Sequence, residues 1–131
     1  GLPFHQGFLS YFDNAENAFV SAYRKYKDTL KFDIHIEYIA SPRIDGKTLI
    51  ITDPMLATGG SAIDAVNKIK KFNPKSIKFM CILAAPEGIE AFTKVHPDVQ
   101  VYCAGLDEKL DDHCYIVPGL GDAGDRIFGT K

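Results

Sequence analysis

The chain has 131 residues, enough for one domain that buries about two-thirds of its unfolded surface, and its 46% apolar and 24% charged residues are those of an ordinary globular protein. A formal net charge of −2 excludes bulk electrostatic attraction to nucleic acid. No apolar run approaches the roughly 20 residues that cross a bilayer, and residues 1–13 lack the basic stretch and apolar core of a signal peptide.

Pro3 stands near the start of a predicted helix running into residues 8–12, with 15–19 beyond it. Residues 18–23 read as a short strand and the polar, basic stretch 24–30 as a loop. Asp33-Ile34-His35-Ile36-Glu37-Tyr38-Ile39 alternates as a half-exposed strand does, and Ser41-Pro42-Arg43-Ile44-Asp45-Gly46 is a turn. Residues 47–52 form a strand with little alternation, the pattern of a strand covered on both faces. A helix from Ser61 to Phe72 turns Ile63, Val66, Ile69 and Phe72 inward and Lys68, Lys70 and Lys71 outward, before Asn73-Pro74 stops it. Its late lysines suit the helix dipole. Residues 76–85 form the next strand, 87–95 a short helix and 99–104 another strand.

The alternation of strands and helices predicts an α/β fold, a mostly parallel sheet flanked by helices, with right-handed crossovers and a ligand site beyond the C-terminal strand ends. The tail, residues 115–131, is glycine-rich yet apolar and reads as an ordered C-terminal loop. There are no repeats and no low-complexity segment. Cys81, Cys103 and Cys114 form no C-x-x-C pair and read as buried reduced thiols of a cytoplasmic protein. His113 and Cys114 lack the further ligands a metal site needs.

The most informative stretch is Asp53-Pro54-Met55-Leu56-Ala57-Thr58-Gly59-Gly60-Ser61. A β-branched strand runs into one carboxylate, then two glycines, then a helix. Glycines allow φ > 0 and close backbone approach, and a helix N-terminus presents N–H groups to an anion. The Lys of a P-loop is missing after Gly60, and the G-x-G-x-x-G fingerprint of dinucleotide enzymes is absent. A phosphate here would be held by N–H groups and the hydroxyls of Thr58 and Ser61, at about 1.5–3 kcal/mol for each charge-assisted bond. The bland alternative is a tight strand-to-helix turn capped by Ser61. A carboxylate beside the loop adds a partner for sugar hydroxyls, so the pattern points to a phosphorylated sugar.

This stretch resembles the phosphoribosyl diphosphate (PRPP) loop of type I phosphoribosyltransferases. Most members carry two adjacent acids before the loop. The single acid followed by proline is the form of the uracil phosphoribosyltransferases. The tail, Tyr115-Ile116-Val117-Pro118-Gly119-Leu120-Gly121-Asp122-Ala123-Gly124-Asp125-Arg126, matches the same family independently. So do Ala84-Ala85-Pro86-Glu87-Gly88-Ile89 and His96-Pro97-Asp98-Val99, and the likeness covers nearly the whole chain.

From the residues alone, the tail offers backbone donors and acceptors among glycines, with Ile116, Val117 and Leu120 as apolar walls, or else a purely structural loop. Such a surface can read a small neutral base and reject an analogue whose donors are misplaced. Arg24 could clasp a diphosphate through its fork, or could simply belong to a solvated basic loop.

The resemblance implies the reaction uracil + PRPP → UMP + diphosphate. It implies PRPP contacts at Arg24, Asp53, Pro54, Met55, Leu56, Ala57, Thr58, Gly59, Gly60, Ser61 and Asp122, and uracil contacts at Ile116, Gly121, Asp122 and Ala123. Arg24, Asp53 and Asp122 are the implied catalytic set, although no side chain is an obvious general base. Mg²⁺ is expected to arrive mainly through PRPP rather than on protein ligands. GTP is an effector of some relatives, and the full-length protein is expected to be a homo-oligomer. The second reading is a non-catalytic UMP- or PRPP-binding regulator on the same fold. The chain begins Gly1-Leu2-Pro3-Phe4 without an initiator Met. It is expected to be one N-terminally incomplete domain that lacks the family's upstream arginine, first strands and N-terminal arm, and to be inactive or weak alone.

Overall fold

A computed structural model describes the backbone of residues 1–28 and 31–130, and the side chains of residues 1–21 and 38–130. The chain opens with helix α1 (Leu2–Leu9), which has Pro3 in its first turn. It therefore stops before Phe12 and the 15–19 segment placed beyond it. Strands β1 (Phe19–Asp28) and β2 (Lys31–Ala40) form an antiparallel hairpin, with Phe19 opposite Ala40 and Arg24 opposite Ile34. The expected loop over 24–28 is thus strand. Its basic composition says nothing of a partner that supplies the ladder, and strand pairing overrides local propensity. Residues 29 and 30, also in that expected loop, lie outside the described residues.

The central sheet is built from β3 (Thr48–Thr52), β4 (Met55–Leu56), β5 (Ser76–Ala84) and β6 (Gln100–Leu106). All of its pairings are parallel, as expected of strands joined by helices. Residues 78–80 of β5 pair with β3 on one side and β6 on the other, while Leu83 and Ala84 pair with both β4 and β6. Hence β3 and β4 occupy the same edge of β5, as one strand broken at Asp53-Pro54. The break has a cause: Pro54 has no N–H for the ladder. Its carbonyl instead accepts from both Ile82 and Leu83, at 3.0 and 3.1 Å.

Helices α2 (Gly60–Lys70) and α3 (Pro86–Val95) cover one face. Ile77, Phe79 and Cys81 of β5 point into that core beside Leu56, Val66 and Phe92. Phe79 and Phe92 pack with ring centroids 5.2 Å apart. The opposite face carries Ile50, Ile82 and Tyr102, all exposed. The expectation that the strand at 47–52 is covered on both faces fails at Ile50, which is 38% exposed. Phe72 likewise keeps helical spacing but is 51% exposed, because the helix has ended. Asn73 takes φ +53, and its N–H closes the last turn on Lys70.

Among the cysteines, only Cys81 is buried; Cys103 and Cys114 are free and exposed, contrary to expectation. Cys103 lies on β6, which pairs with β5 on one side and has no second partner strand among the described residues. The tail is not simply loop. It forms the two-residue ladder of β7 (Lys109–Leu110) with β8 (Ile116–Val117), then helix α4 (Ala123–Phe128). No helix among the described residues is long and apolar enough to cross a membrane.

Candidate functional site

Where β3 ends, the Asp53 N–H donates to the Met80 carbonyl at 3.0 Å, so the backbone is still tied to the sheet. The Met55 N–H donates to the Asp53 carboxylate. Removal from water pushes this carboxyl above its ordinary value of 3.8, opposed by the Gly1 ammonium and by the Met55 hydrogen bond. Leu56, 1% exposed, anchors the far side in the core, and its carbonyl accepts from the Ala85 N–H at 3.0 Å.

Residues 57–59 then bend away from the sheet. Gly59 is the N-cap of α2 at φ +82, a conformation that costs other residues strain. Its carbonyl accepts the Ile63 N–H at 2.9 Å. Ser61 therefore lies inside the first turn and does not cap the helix, so the alternative of a Ser61-capped turn is not what forms. The first-turn N–H groups of α2 have no carbonyl partner within their helix and open toward a hollow of about 200 Å³, lined by Asp53 and residues 55–62. A carboxylate, a glycine bend and free helix-end donors meet there, as the sequence predicts.

The loop is shaped from behind. A Cβ at Gly88 in α3 would overlap the Ala57 carbonyl oxygen and fall 2.8 Å from that of Leu56. One at Gly59 would stand 3.0 Å from the Gly88 carbonyl oxygen. Two glycines, 29 positions apart, thus let α3 and the loop touch backbone to backbone. No single-window pattern announces Gly88, although a glycine in a first helical turn after Pro86 is itself out of character for a helix.

In the tail, Ile116 is buried and Gly121 takes φ +77. Asp122 is the N-cap of α4, its Oδ1 accepting the Asp125 N–H at 2.9 Å. Arg126 donates from Nε to the Leu120 carbonyl at 3.0 Å. Asp107, at the end of β6, accepts the Gly119 N–H at 2.9 Å, and its own N–H donates to the Ala84 carbonyl at 2.9 Å. A second hollow of about 210 Å³ joins the tail to the loop. Its walls are mostly apolar: Pro54 and Met55 of the loop, Leu120, Ala123 and Ile127 of the tail, and Pro3 and Phe4 of α1, with Arg126 also at its edge. Met55 lines both hollows.

Of the expected base contacts, Ala123 lines the second hollow, while Ile116, Gly121 and Asp122 lie in the turn and strand leading to it. The expected PRPP contacts from Asp53 to Ser61 are contiguous around the first hollow except Pro54, which faces the second. Arg24 has its backbone in β1, and its side chain lies outside the described residues. Glu87 and Gly88 lie in the Ala84–Ile89 segment that resembles the family, with no site role implied for them there, and Asp107 is a structural part of this region that no motif singled out.

A parallel sheet with a polar cradle beyond a C-terminal strand end, and an apolar hollow beside it, has the architecture of a type I phosphoribosyltransferase. A family model described as uracil phosphoribosyltransferase matches residues 1–130. The chain is 58% identical over 133 aligned positions to a uracil phosphoribosyltransferase of Porphyromonas gingivalis and 53% identical to one of a Geobacillus species. Each alignment takes in all of this chain and 62% of the relative. Among solved structures, that of the AQ2163 protein from Aquifex aeolicus superposes with a TM-score of 0.90 at 38% identity, over 99% of this chain and 61% of that one. The chain belongs to the uracil phosphoribosyltransferase family, and it spans about 62% of the length of the curated relatives it matches.

Proposed function

We propose that this domain takes part in pyrimidine salvage, converting uracil and PRPP to UMP and diphosphate. The observation that carries the reading is the pair of adjoining hollows. A polar cradle suited to the ribose 5-phosphate shares Met55 with an apolar hollow suited to a planar base, which sets base and sugar side by side.

In this reading the 57–61 loop binds the 5-phosphate through first-turn N–H groups and the Thr58 and Ser61 hydroxyls. Asp53 accepts from the ribose hydroxyls. The base lies between Met55 and the tail, with the backbone of residues 116–123 reading its edge. Uracil N1 and the anomeric carbon are brought into line, so most of the rate enhancement comes from positioning and from stabilising charge on the departing diphosphate. Arg24 is the proposed cation on that diphosphate. One half-buried carboxylate in the cradle fits Mg²⁺ that arrives on PRPP, because this ion keeps much of its own water and takes one or two carboxylates plus substrate phosphates. When bound, it would neutralise charge on the diphosphate. Asp122 already caps α4 through Oδ1, so its role is to place the tail and to meet PRPP from that fixed position. This reading assigns the reaction to the cytoplasm.

The test measures diphosphate release with uracil and PRPP–Mg²⁺, with cytosine as the control base. It is run on the 131-residue chain and on a chain extended to the relatives' length. Uracil-dependent release from the longer chain is expected, with much weaker release from the shorter. UMP binding without any release would instead make the protein a regulator, and neither binding nor release would refute the reading.

A further inference from the structure

Glu87 stands outside both hollows, exposed on the first turn of α3. Its Oε1 accepts the Leu110 N–H at 3.0 Å, across 23 residues of chain. Leu110 is the β7 residue paired with Ile116 of β8. Ile116, 3% exposed, opens the tail turn, and a Cβ at Gly119 would fall 2.8 Å from its carbonyl carbon. One residue after Glu87, Gly88 is the position against which the Ala57 and Leu56 carbonyls pack. The same helical turn therefore touches the sugar-phosphate loop through its backbone and the base-side ladder through a carboxylate.

We infer that Glu87 is a positioning residue that sets the base-reading tail against the phosphate loop by holding β7. The inference rests on the base-site reading above. Three observations support it. First, β7 and β8 are only two residues each, and so short a ladder has little stability of its own. Its other ties lie within the hairpin: the Glu108 N–H to the Val117 carbonyl at 2.9 Å, the Asp111 N–H to the Tyr115 carbonyl at 2.8 Å, and the turn bonds of residues 113–115 to the Asp111 carbonyl and carboxylate. Those bonds hold the hairpin together but do not place it. Second, among the described residues two bonds tie the hairpin and its flanks to the rest of the domain: Glu87 to Leu110, and Asp107, which reaches Gly119 and is itself tied to Ala84. Third, the Leu110 hydrogen bond is the largest influence holding the Glu87 carboxyl below its ordinary 4.5, ahead of a hydrogen bond from its own N–H, with nearby Lys109 adding to the effect. The ionised acceptor is thus coupled to the ladder.

Side-chain truncation and an isostere separate positioning from bulk stability, because Glu87 is exposed and buries no core. In Glu87→Ala the amides of residues 109–117 are expected to exchange about tenfold faster than in the wild type, with α2 and β5 unchanged. UMP affinity should fall about tenfold while ribose 5-phosphate affinity stays within twofold. Glu87→Gln, which retains an acceptor oxygen, should recover most of both losses. Unchanged exchange over 109–117 would overturn the inference, and so would an equal loss of both ligands. A wild-type chain that binds no UMP would refute the base-site reading alone, and the exchange comparison would still decide the role of Glu87.

Discussion

Gly88→Ala is the sharpest probe of how the phosphate loop is held. The new Cβ would overlap the Ala57 carbonyl oxygen and lie 2.8 Å from the Leu56 oxygen and 3.0 Å from the Ala57 carbonyl carbon, where ordinary contact begins at 3.4 Å. All three obstacles are backbone, so no side chain can swing aside. Either α3 retreats or the 56–59 segment is pushed toward the hollow. Overpacking of this kind costs about 1–3 kcal/mol, offset by about 0.5–1 kcal/mol that alanine gains over glycine in a helix. The net loss is expected at about 1–2 kcal/mol, a fall of roughly 4–7 °C in melting temperature for a domain of this size. Ribose 5-phosphate affinity should fall as well, because a displacement of about 1 Å at a positioning group can cost up to 100-fold in function. Gly7→Ala is the control: it lies in α1 with nothing within 4 Å of its Cβ, and should leave stability unchanged or slightly raised. Thermal denaturation and calorimetry with ribose 5-phosphate read both quantities. A Gly88→Ala protein that melts within about 1 °C of the wild type and binds ribose 5-phosphate equally well would refute the backbone-contact argument.

Asp53→Asn should trade binding for stability. Burial raises this carboxyl above 3.8, so the folded chain holds the proton more tightly than the unfolded one; the associated stability is complete below 3.8 and is lost as pH rises through the folded value. The variant should therefore gain on the wild type in urea midpoint as pH rises from 4 to 7, and lose roughly tenfold or more in PRPP affinity; a wild type that stays ahead at neutral pH would contradict the burial argument. For the thiols, Cys81 is pushed up to about 12, mainly by burial, with Cys103 and Asp53 adding to the shift. Iodoacetamide on the native chain at neutral pH should label the exposed Cys103 and Cys114 and spare Cys81 until urea is added, and rapid native labelling of Cys81 in peptide mass spectra would count against it.

The strands of the parallel sheet were legible because each is an apolar run between turn residues. Ser76 to Ala84 reads as strand by composition, and the structure places its end one residue before the predicted boundary. The loop was legible because its parts are consecutive in sequence. What escaped depends on partners. Residues 24–28 pair with β2 despite their charge. Helix α4 forms in glycine-rich sequence because Asp122 caps one end and Gly129 closes the other at φ +65, a local solution that apolar periodicity does not register over six residues. Ile50 is exposed on the face opposite α2 and α3, and an unbroken apolar run cannot say which face is left open.

A phosphate loop is commonly treated as a local motif, yet the shape of this one is set from 29 residues away. Gly59 can take φ +82 without help, but a Cβ there would stand 3.0 Å from the Gly88 carbonyl oxygen, while a Cβ at Gly88 would run into the Ala57 and Leu56 carbonyls. Both glycines therefore keep α3 and the 56–59 segment in backbone contact, and a side chain at Gly88 is the more severe intrusion. The same turn of α3 carries Glu87, whose carboxylate reaches the ladder that bears Ile116. A shift of α3 would thus act on both hollows together, whereas a shift of the loop alone would act on the first, and on the proposed function that difference decides whether phosphate and base stay in register. Phe92, fully buried against Phe79, ties α3 to the core, and on the proposed function a fixed α3 matters because alignment of base and sugar requires a fixed distance between the two hollows.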